Sequence, residues 1–386
     1  MIPYGRQDIT QADIDAVTEV LRSDFITQGP MIPKFEQAVT QRVGAAHGVA
    51  VNSATSALHI ACAALGLGPG DLLWTVPNTF VASANCGRYC GAEVDFVDID
   101  PFTWNLSVPA LKEKLFLART AGRLPKVVVP VHFGGQPTDQ EEIAELALEY
   151  GFKVLDDASH SIGASRHGEP VGSGRWCDIT VFSFHPVKIV TTAEGGMALT
   201  SDTELADRMR MLRTHGITRN PARLTLERAP PPAWHYEQQL LGFNYRMTDI
   251  HAALGTSQVE RLDAYVERRN VLARRYDAAL ADLPLQRPGI RAGNRSAYHL
   301  YVVRLKGGGG AAARRRVFEA LRRQDIGVNV HYLPVHLQPY YRALGFREGL
   351  CPEAEAYGES AITLPLFPLM TEAQQDTVVA ALKKSL

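Results

Sequence analysis

DITVFSFHPVKIVTTAEGGM, residues 178–197, starts as an apolar strand and ends on a pair of glycines. After the strand the chain changes abruptly to Ser183, His185 and Lys188. An ammonium group directly after a buried strand is unusual, and burial lowers the pKa of a lysine. Because a lysine with a lowered pKa is the nucleophile that forms Schiff bases, we predict that Lys188 carries pyridoxal phosphate.

The composition is that of an ordinary globular protein with a large and a small domain. The chain has 386 residues, of which 46% are hydrophobic and 21% charged, and its net charge is −1. This balance gives no sign of a nucleic-acid surface or a polybasic membrane patch. Five cysteines form no CxxC pair, and neither a signal peptide nor a membrane span is recognisable. We therefore expect a reduced, cytoplasmic protein.

Short apolar strands alternate with helical stretches between residues 47 and 201. The predicted strands lie at residues 49–51, 72–76, 94–98, 126–132, 153–155, 179–182 and 197–200. The predicted helices between them lie at residues 55–65, 80–90, 109–117 and 140–150. This alternation predicts a mostly parallel sheet covered on both faces. Ligands of such sheets bind beyond the carboxyl ends of the strands, so the loops there are the ones to search.

We divide the chain into three parts. Residues 1–246 form an N-terminal arm and the large domain, residues 247–281 a long connecting helix, and residues 282–386 a small domain. The arm contains helices at about residues 10–23 and 32–44, and a proline-rich loop lies at 228–232. The small domain is expected to contain strands at 298–305 and 327–330 and helices at 312–324 and 372–382.

The segment NSATSA, residues 52–57, lies between a predicted strand and a predicted helix. Small residues at a helix N-terminus leave N–H groups free for an anion, and the helix dipole favours one. An ordinary helix cap by Ser53 or Thr55 is the alternative, and it is the commoner use of such residues.

The segment VLDDASH, residues 154–160, places two carboxylates at the end of an apolar strand. An aspartate there can keep the ring nitrogen of pyridoxal phosphate protonated, which makes the ring an electron sink. Acid–base work by the pair, as in glycosidases, is a weaker alternative because adjacent strand residues point to opposite faces. Metal binding is weaker still, because the histidines fit no common ligand spacing.

Two further loops contribute candidates. Phe80, in PNTF at 77–80, can stack on a flat cofactor ring, although packing in the core is the commoner fate of a phenylalanine. The segment GFNYRMT, residues 242–248, is a candidate site or only the start of a helix. Neither a G-x-G-x-x-G after a strand nor a P-loop occurs, so dinucleotide and P-loop chemistry are disfavoured.

Together these motifs resemble the nucleotide-sugar aminotransferases of the aspartate-aminotransferase fold (fold type I), over essentially the whole chain. The resemblance implies an α/β protein whose large domain has a mostly parallel sheet, with a smaller α+β C-terminal domain. The matching segments are TQG at 27–29, NSATSA at 52–57, DASH at 157–160, SFH at 183–185 followed by Lys188, EGG at 194–196, GFNYR at 242–246 and HY at 331–332.

The resemblance also implies roles for individual residues around pyridoxal 5′-phosphate. Lys188 binds the cofactor covalently and moves the proton, Asp157 pairs with the ring nitrogen, and Phe80 stacks on the ring. The phosphate is held by the backbone of Ala54 and Thr55, by the Ser183 hydroxyl, and by Asn244 of a neighbouring subunit, which implies a homodimer. His160 lies near the ring hydroxyl. The residues expected to contact the nucleotide sugar are Tyr4, Asp24, Phe25, Ile26, Thr27, Val330, His331, Tyr332 and Leu333.

MIPYGRQ at 1–7 and TTAEGG at 191–196 look most like one branch of the family. That branch moves an amino group from L-glutamate to C4 of a UDP-linked 4-keto-6-deoxy sugar. Its product is UDP-4-amino-4,6-dideoxy-N-acetyl-β-L-altrosamine, for pseudaminic acid biosynthesis. The alternatives are another C4 or C3 aminotransferase, acting on a UDP-pentose or dTDP-hexose, a dehydratase, or a non-catalytic binding protein. Because dehydratases of the family carry histidine in place of the lysine, Lys188 favours transamination.

Overall fold

The computed structural model describes residues 1–225 and 232–386. The elements up to residue 150 are α1 (Gln11–Arg22), α2 (Met31–Val43), β1 (His47–Val51), α3 (Ala54–Ala64), β2 (Leu72–Thr75), α4 (Ala82–Tyr89), β3 (Glu93–Phe96), α5 (Val108–Thr120), β4 (Val127–Val129) and α6 (Gln140–Tyr150). Those up to residue 260 are β5 (Lys153–Asp157), β6 (Ser165–Arg166), β7 (Glu169–Pro170), β8 (Ile179–Ser183), β9 (Gly196–Thr200), α7 (Thr203–Arg213), β10 (Ile217–Thr218), β11 (Glu237–Gln238) and α8 (Asp249–Val259).

The remaining elements belong mostly to the small domain. They are α9 (Leu262–Ala279), β12 (Leu285–Gln286), β13 (Asn294–Arg295), β14 (Tyr301–Leu305), α10 (Gly310–Arg323), α11 (Pro339–Ala343), α12 (Pro352–Ser360), β15 (Ala361–Leu364) and α13 (Glu372–Ser385). The proline-rich loop predicted at 228–232 lies outside the described residues, apart from its last proline.

The described strands form a central seven-stranded sheet in the order β1-β9-β8-β5-β4-β2-β3. From β3 across to β8 all neighbours are parallel, whereas β9 runs antiparallel to both β8 and β1. The predicted α/β architecture with a mostly parallel sheet is therefore confirmed. The carboxyl ends of β2, β5 and β8 meet at one edge of this sheet, where a ligand is expected.

Both faces of the sheet are covered, because its strands are apolar almost without interruption. Val127, Val128 and Val129 of β4 are all fully buried, as a parallel strand in the centre of a sheet requires. One apolar cluster joins this strand to α3 and α4, and a second joins Phe35 of α2 to Phe184 and α8 on the other face.

The predicted long connecting helix at 247–281 is wrong, because the structure has two helices, α8 and α9, that meet at residues 260–261. Arg261 adopts φ −99° and ψ 5°, and its N–H donates to the carbonyl oxygen of Gln258 three residues back. The side chains of Ser257, Gln258 and Arg261 all bond to the buried carboxylate of Asp13 in α1. The apolar spacing continues across this break, which is why the sequence predicted a single helix.

Asp13 anchors the N-terminal arm, and its replacement tests that anchor. Burial by itself raises the pKa of Asp13, but hydrogen bonds from Arg261, Ser257 and Thr10 outweigh burial and hold the pKa below its usual 3.8. The carboxylate therefore stabilises the fold above that value, and the stabilisation is lost as the pH falls through the lower folded-state pKa. Asp13→Asn is expected to lower the free energy of unfolding by about 2 kcal/mol at pH 7.

Urea unfolding of wild type and Asp13→Asn between pH 7 and about pH 3 measures this contribution. The difference between the two proteins should shrink below about pH 4. Asp15→Asn is the matched control, since Asp15 is exposed on the same helix and bonds only Gln11. A difference that stays constant over the whole pH range would contradict the role given to Asp13.

The small domain departs from prediction at one strand. Residues 327–330 do not form a regular strand; Asn329 and Thr363 exchange backbone hydrogen bonds at an isolated bridge. The third strand of the small sheet is instead β15, which pairs with β14 and was not predicted. Residues 327–330 lie between Ile2 of the arm and β15 and then turn towards the carboxyl edge of the large sheet.

Within the described ranges, no helix is long and apolar enough to cross a membrane. The same residues contain no cluster of histidine, cysteine and carboxylate side chains that could hold a metal ion.

Candidate active site

A cavity of about 540 Å³ lies at the carboxyl edge of the sheet. The ends of β5 and β8, the start of α3 and the loop after β2 form one side of it. Tyr4 of the arm and residues 329–332 of the small domain form the opposite side. The cavity therefore collects side chains from parts of the chain that are far apart in sequence.

Lys188 lies in the loop between β8 and β9 and lines this cavity. The loop is closed at its base, because the N–H of Phe184 donates to the carbonyl of Gly195 over 2.9 Å. The N–H of Thr192 returns to the carbonyl of Phe184, also over 2.9 Å. Burial lowers the pKa of Lys188 to about 8, although the negative charge of Asp157 acts in the opposite direction. The amine is thus prepared for nucleophilic attack near neutral pH.

Asp157 ends β5 beside β8, and its side chain is almost fully buried in the cavity wall. Ser83 donates its hydroxyl to Oδ2 over 2.6 Å. Ser159 donates its hydroxyl over 2.6 Å and its backbone N–H over 3.1 Å, both to Oδ1. The carboxylate is therefore held in one orientation and remains available to a cation in the cavity.

The start of α3 lies at the end of the cavity where the sequence predicts an anion. Ser53 caps the helix by accepting from the N–H of Ser56, while Ala54 and Thr55, whose N–H groups have no partner within a helix, line the cavity. The helix cap by Ser53 is therefore confirmed, and anion binding by the next two residues, which line the cavity, stays a prediction.

The absence of a side chain at Gly196 allows strand β9 to lie close to the start of α3, at one end of the cavity. Gly196 pairs with Ser183 across β8 and β9, and a Cβ atom there would lie 2.5 Å from the backbone nitrogen of Ala54. The strand thus approaches the helix start so closely that only glycine fits. Ser183, the first N–H groups of α3 and the helix dipole together suit a phosphate group, so the residues present fit pyridoxal phosphate.

His160 and Tyr332 form a directed pair in the cavity. The N–H of Gly134 donates to Nδ1 of His160 over 3.3 Å, which leaves the ring proton on Nε2. Nε2 lies 3.3 Å from the hydroxyl oxygen of Tyr332, so the histidine donates to the tyrosine. Burial, and then the charge of Lys188, lower the pKa of His160 far below its usual range, so the ring is neutral.

Phe80 follows β2 and is 57% exposed, with its ring on the cavity wall. The structure therefore rules out the core position that is the commoner fate of a phenylalanine. The nearest aromatic ring is that of Tyr332, whose centroid is 6.4 Å away. The exposed ring of Phe80 is accessible to a flat cofactor ring in the cavity, and stacking on that ring stays a prediction.

The residues predicted to contact the nucleotide sugar fall into two groups. Tyr4, Val330, His331 and Tyr332 line the cavity. The loop residues Asp24, Phe25, Ile26 and Thr27 are exposed and lie outside it, as does Leu333. Asn244, predicted to reach the phosphate of a neighbouring subunit, is likewise exposed and outside the cavity of its own chain.

Sequence reasoning missed two residues that line the cavity, His299 and Asn329, and one that supports its wall, Ser83. His299 lies 4.5 Å from His160 between ring centroids, and it precedes β14 rather than following a strand, so the rule that ligands bind beyond strand ends gives no signal for it. Asn329 accepts from the N–H of Val330 through Oδ1, so its Nδ2 faces Nε2 of His331 and sets the tautomer of that ring. Ser83 occupies the first turn of α4, where a serine carries no signal beyond helix capping.

The lowered pKa of Lys188 predicts how the apoenzyme captures its cofactor. Only the neutral amine attacks an aldehyde, so the rate constant should rise with pH and level off above about pH 8. At pH 7 the rate constant should exceed that of an ordinary lysine by about two orders of magnitude, because much more of the amine is neutral. Stopped-flow absorbance after mixing apoenzyme with pyridoxal phosphate measures it, and a midpoint above pH 10 would contradict the lowered pKa.

Comparison with known proteins places this geometry in context. The model of the DegT/DnrJ/EryC1/StrS aminotransferase family matches residues 7–383. The spore coat polysaccharide biosynthesis protein SpsC of Bacillus subtilis is 38% identical over 99% of this chain and 96% of its own.

Solved structures of sugar aminotransferases superpose on this chain over its whole length. Helicobacter pylori PseC, an aminotransferase involved in the biosynthesis of pseudoaminic acid, superposes with a TM-score of 0.90 at 28% identity, covering 100% of this chain and 98% of PseC. Streptococcus pneumoniae Spr1654 in its PMP form superposes with a TM-score of 0.90 at 29% identity, covering 100% and 99% of the two chains. Spr1654 has also been solved in a PLP form.

Proposed function

The chain belongs to the DegT/DnrJ/EryC1/StrS aminotransferase family, and we propose that within it the enzyme aminates C4 of a UDP-linked 4-keto-6-deoxy-N-acetyl hexosamine at the expense of L-glutamate. The proposed product is UDP-4-amino-4,6-dideoxy-N-acetyl-β-L-altrosamine, the amino sugar of the pseudaminic acid pathway. The observation that carries the chemistry is the Lys188 amine, with a pKa of about 8, in one cavity with Asp157 and the start of α3.

The predicted class of enzyme is confirmed. Family and solved relatives identify a sugar aminotransferase of fold type I that depends on pyridoxal phosphate. When bound, pyridoxal phosphate supplies an electron sink for negative charge at the carbon next to the transferred nitrogen.

We assign the residues of the cavity as follows. Ala54, Thr55 and Ser183 bind the phosphate, and Phe80 covers one face of the ring. Asp157 holds a proton on the ring nitrogen, because its carboxylate is a fixed, buried negative charge.

Two further residues handle protons and orientation. Nζ of Lys188 binds the cofactor covalently and then carries a proton to and from the substrate carbon, for which a pKa near the working pH is best. His160 is neutral and has its proton on Nε2, so it orients the hydroxyl of Tyr332 at the ring-hydroxyl side of the site.

The choice of sugar rests on the resemblance of residues 1–7 and 191–196 to one branch and on the likeness to PseC. Tyr4 and residues 330–332 would contact the sugar from the small-domain side, and Asp24, Phe25, Ile26, Thr27 and Leu333 would do so from a neighbouring subunit. A second candidate is another C4 or C3 amination of a nucleotide sugar. It is favoured by the 38% identity to SpsC, which exceeds the 28% identity to PseC.

A substrate panel separates these candidates. The purified enzyme, loaded with pyridoxal phosphate and given L-glutamate, is offered UDP-linked 4-ketohexosamines, UDP-4-ketopentoses and dTDP-linked 3- and 4-ketohexoses. Products are identified by NMR. We expect the highest kcat/KM with the UDP-linked 4-keto-6-deoxy-N-acetyl hexosamine, and activity confined to a dTDP-3-ketosugar would overturn the proposal.

We also propose a homodimer that shares its active sites. Asn244 is exposed outside the cavity of its own chain, and Phe25, Ile26 and Phe80 are all more than half exposed, which suits coverage by a second copy. Mixing Lys188→Ala with Asn244→Ala protein tests this arrangement at limiting pyridoxal phosphate. Statistical exchange makes half of the dimers mixed, each with one intact site, so activity should recover to about a quarter of wild type. Activity that does not recover in mixed dimers would contradict a shared site.

A cytoplasmic location completes the proposal. An odd number of cysteines without a CxxC pair supports it, since such cysteines are typical of reducing compartments.

A further inference from the structure

The carboxylate of Asp157 is almost saturated by donors from its own chain. An ionised carboxylate offers about four acceptor positions. Ser83 takes one on Oδ2, and the hydroxyl and N–H of Ser159 take two on Oδ1. About one position is left for the cavity, which is the number that a single ring N–H needs.

The hydroxyl group of Ser83 is itself hydrogen-bonded to a second hydroxyl, that of Thr79. Thr79 Oγ1 lies 2.7 Å from Ser83 Oγ. An ionised carboxylate can only accept, so Ser83 donates its single hydroxyl proton to Asp157. Because Ser83 has no second proton to donate, Thr79 donates to Ser83. The chain of donors is therefore directed, from Thr79 through Ser83 to Oδ2 of Asp157.

A second acceptor, the carbonyl oxygen of Phe80, lies near the hydroxyl of Ser83, but it is weaker than the carboxylate of Asp157. A serine in the first turn of a helix commonly bonds a nearby backbone carbonyl, and the carbonyl oxygen of Phe80 lies 3.3 Å away. Oδ2 of Asp157 is at 2.6 Å and charged, so it is the stronger acceptor. Thr79 and Ser83 are both fully buried, so water does not compete for their hydroxyl groups.

The segment that carries Thr79 and Ser83, residues 77–83, also bonds to the small-domain side of the cavity. Oδ1 of Asn78 accepts from the N–H of Tyr332 over 3.2 Å, and the carbonyl of Pro77 accepts from the N–H of Val335 over 2.9 Å. Residues 77–83 thus bind the small-domain segment at one end and the ring-nitrogen carboxylate at the other, with Phe80 between them.

We propose that Thr79 and Ser83 form a hydroxyl chain that positions the carboxylate of Asp157, so that the cofactor ring nitrogen stays protonated during both halves of the reaction. Thr79 and Ser83 are positioning residues, since they act through Asp157. This inference rests on the proposed pairing of Asp157 with the ring nitrogen, and its test separates the two.

The test is the protonation state of the ring nitrogen, read by 15N NMR of enzyme loaded with ring-15N pyridoxal phosphate. Ser83→Ala is expected to shift the signal towards the unprotonated value. It should also weaken cofactor binding about tenfold, as loss of one hydrogen bond to a buried charge implies. Ser83→Thr keeps the hydroxyl and should restore both readouts. Thr79→Val, similar in shape, should give a smaller change in the same direction.

Thr75→Val is the matched control. Its hydroxyl is equally buried and donates to the carbonyl of Val129 over 2.8 Å, away from Asp157. It should lower the melting temperature and leave the 15N signal unchanged, which separates positioning from a general loss of stability. If Ser83→Ala does not fold, the same test is made by comparing the 15N signal and the cofactor affinity of Thr79→Val with those of Thr75→Val.

The outcomes distinguish the two levels of inference. A wild-type 15N signal and cofactor affinity in both Ser83→Ala and Thr79→Val would overturn the hydroxyl chain. If Asp157→Asn changes the signal while those two variants do not, only the hydroxyl chain is wrong. If Asp157→Asn also leaves the nitrogen protonated, the pairing of Asp157 with the ring nitrogen is itself wrong.

Discussion

Lys188→Ala is expected to abolish transamination and to remove the visible absorbance of the lysine-bound cofactor. In the proposed assignment the amine is both the covalent anchor and the group that moves the proton, and positioned proton transfer alone is worth about 10²–10⁴-fold in rate. We therefore expect kcat/KM to fall by at least about 10³-fold. The phosphate-binding residues are unchanged, so the variant should still bind pyridoxal phosphate non-covalently, as measured by equilibrium dialysis.

Lys153→Ala is the matched control, because Lys153 begins β5 outside the cavity, where its half-exposed side chain pairs with Asp178. It should retain the visible band and the wild-type rate. A Lys188→Ala protein that kept the visible band and turned over would exclude Lys188 as the cofactor lysine.

Asp157→Asn should reduce kcat by about 10²–10³-fold, the usual cost of losing one preorganised electrostatic contact in a buried site. The amide has almost the same shape as the carboxylate, so the fold should remain intact. It lacks the negative charge that keeps a ring nitrogen protonated, and the ring then becomes a poorer electron sink. Steady-state kinetics for each substrate, with the absorbance spectrum of the bound cofactor, measure the effect.

Asp156→Asn provides the control for this prediction. Asp156 precedes Asp157 in β5, so its side chain points to the opposite face of the sheet, where it accepts from Gln140 over 2.7 Å. Its replacement should lower stability and leave kcat and the cofactor spectrum close to wild type. Equal losses of kcat in the two variants would contradict the assignment of Asp157 as the ring partner.

The residues of the site that lie at or after the carboxyl ends of strands could be predicted from the sequence. Lys188, Asp157, Phe80 and Ala54 follow buried strands of a parallel sheet, and the topology of such a sheet brings those ends together. The structure places these four residues in one cavity, whereas the individual roles implied by the resemblance stay predictions.

The other side of the cavity could not be predicted in the same way. Residues 327–330 were predicted to form a strand because their apolar pattern suits one, yet they pair with β15 at only one bridge. Their course is decided by contacts distant in sequence, such as Asn78 with the N–H of Tyr332 and Ile2 with Gly327. The break between α8 and α9 has the same cause, since Arg261 is held by Asp13 nearly 250 positions earlier.

The closed loop that carries Lys188 has a consequence for how such enzymes diverge. Its ends are joined through neighbouring strands, so its backbone can change only if the central sheet changes with it. Residues 329–332 pair with no strand of the central sheet and are held by side-chain and single backbone hydrogen bonds, so replacements there leave the hydrogen bonds between the strands of that sheet in place. Under the proposed assignment of residues 330–332 to the sugar, changes in this short irregular segment alter which sugar is accepted, while Lys188 and Asp157 keep their places on the opposite side of the cavity.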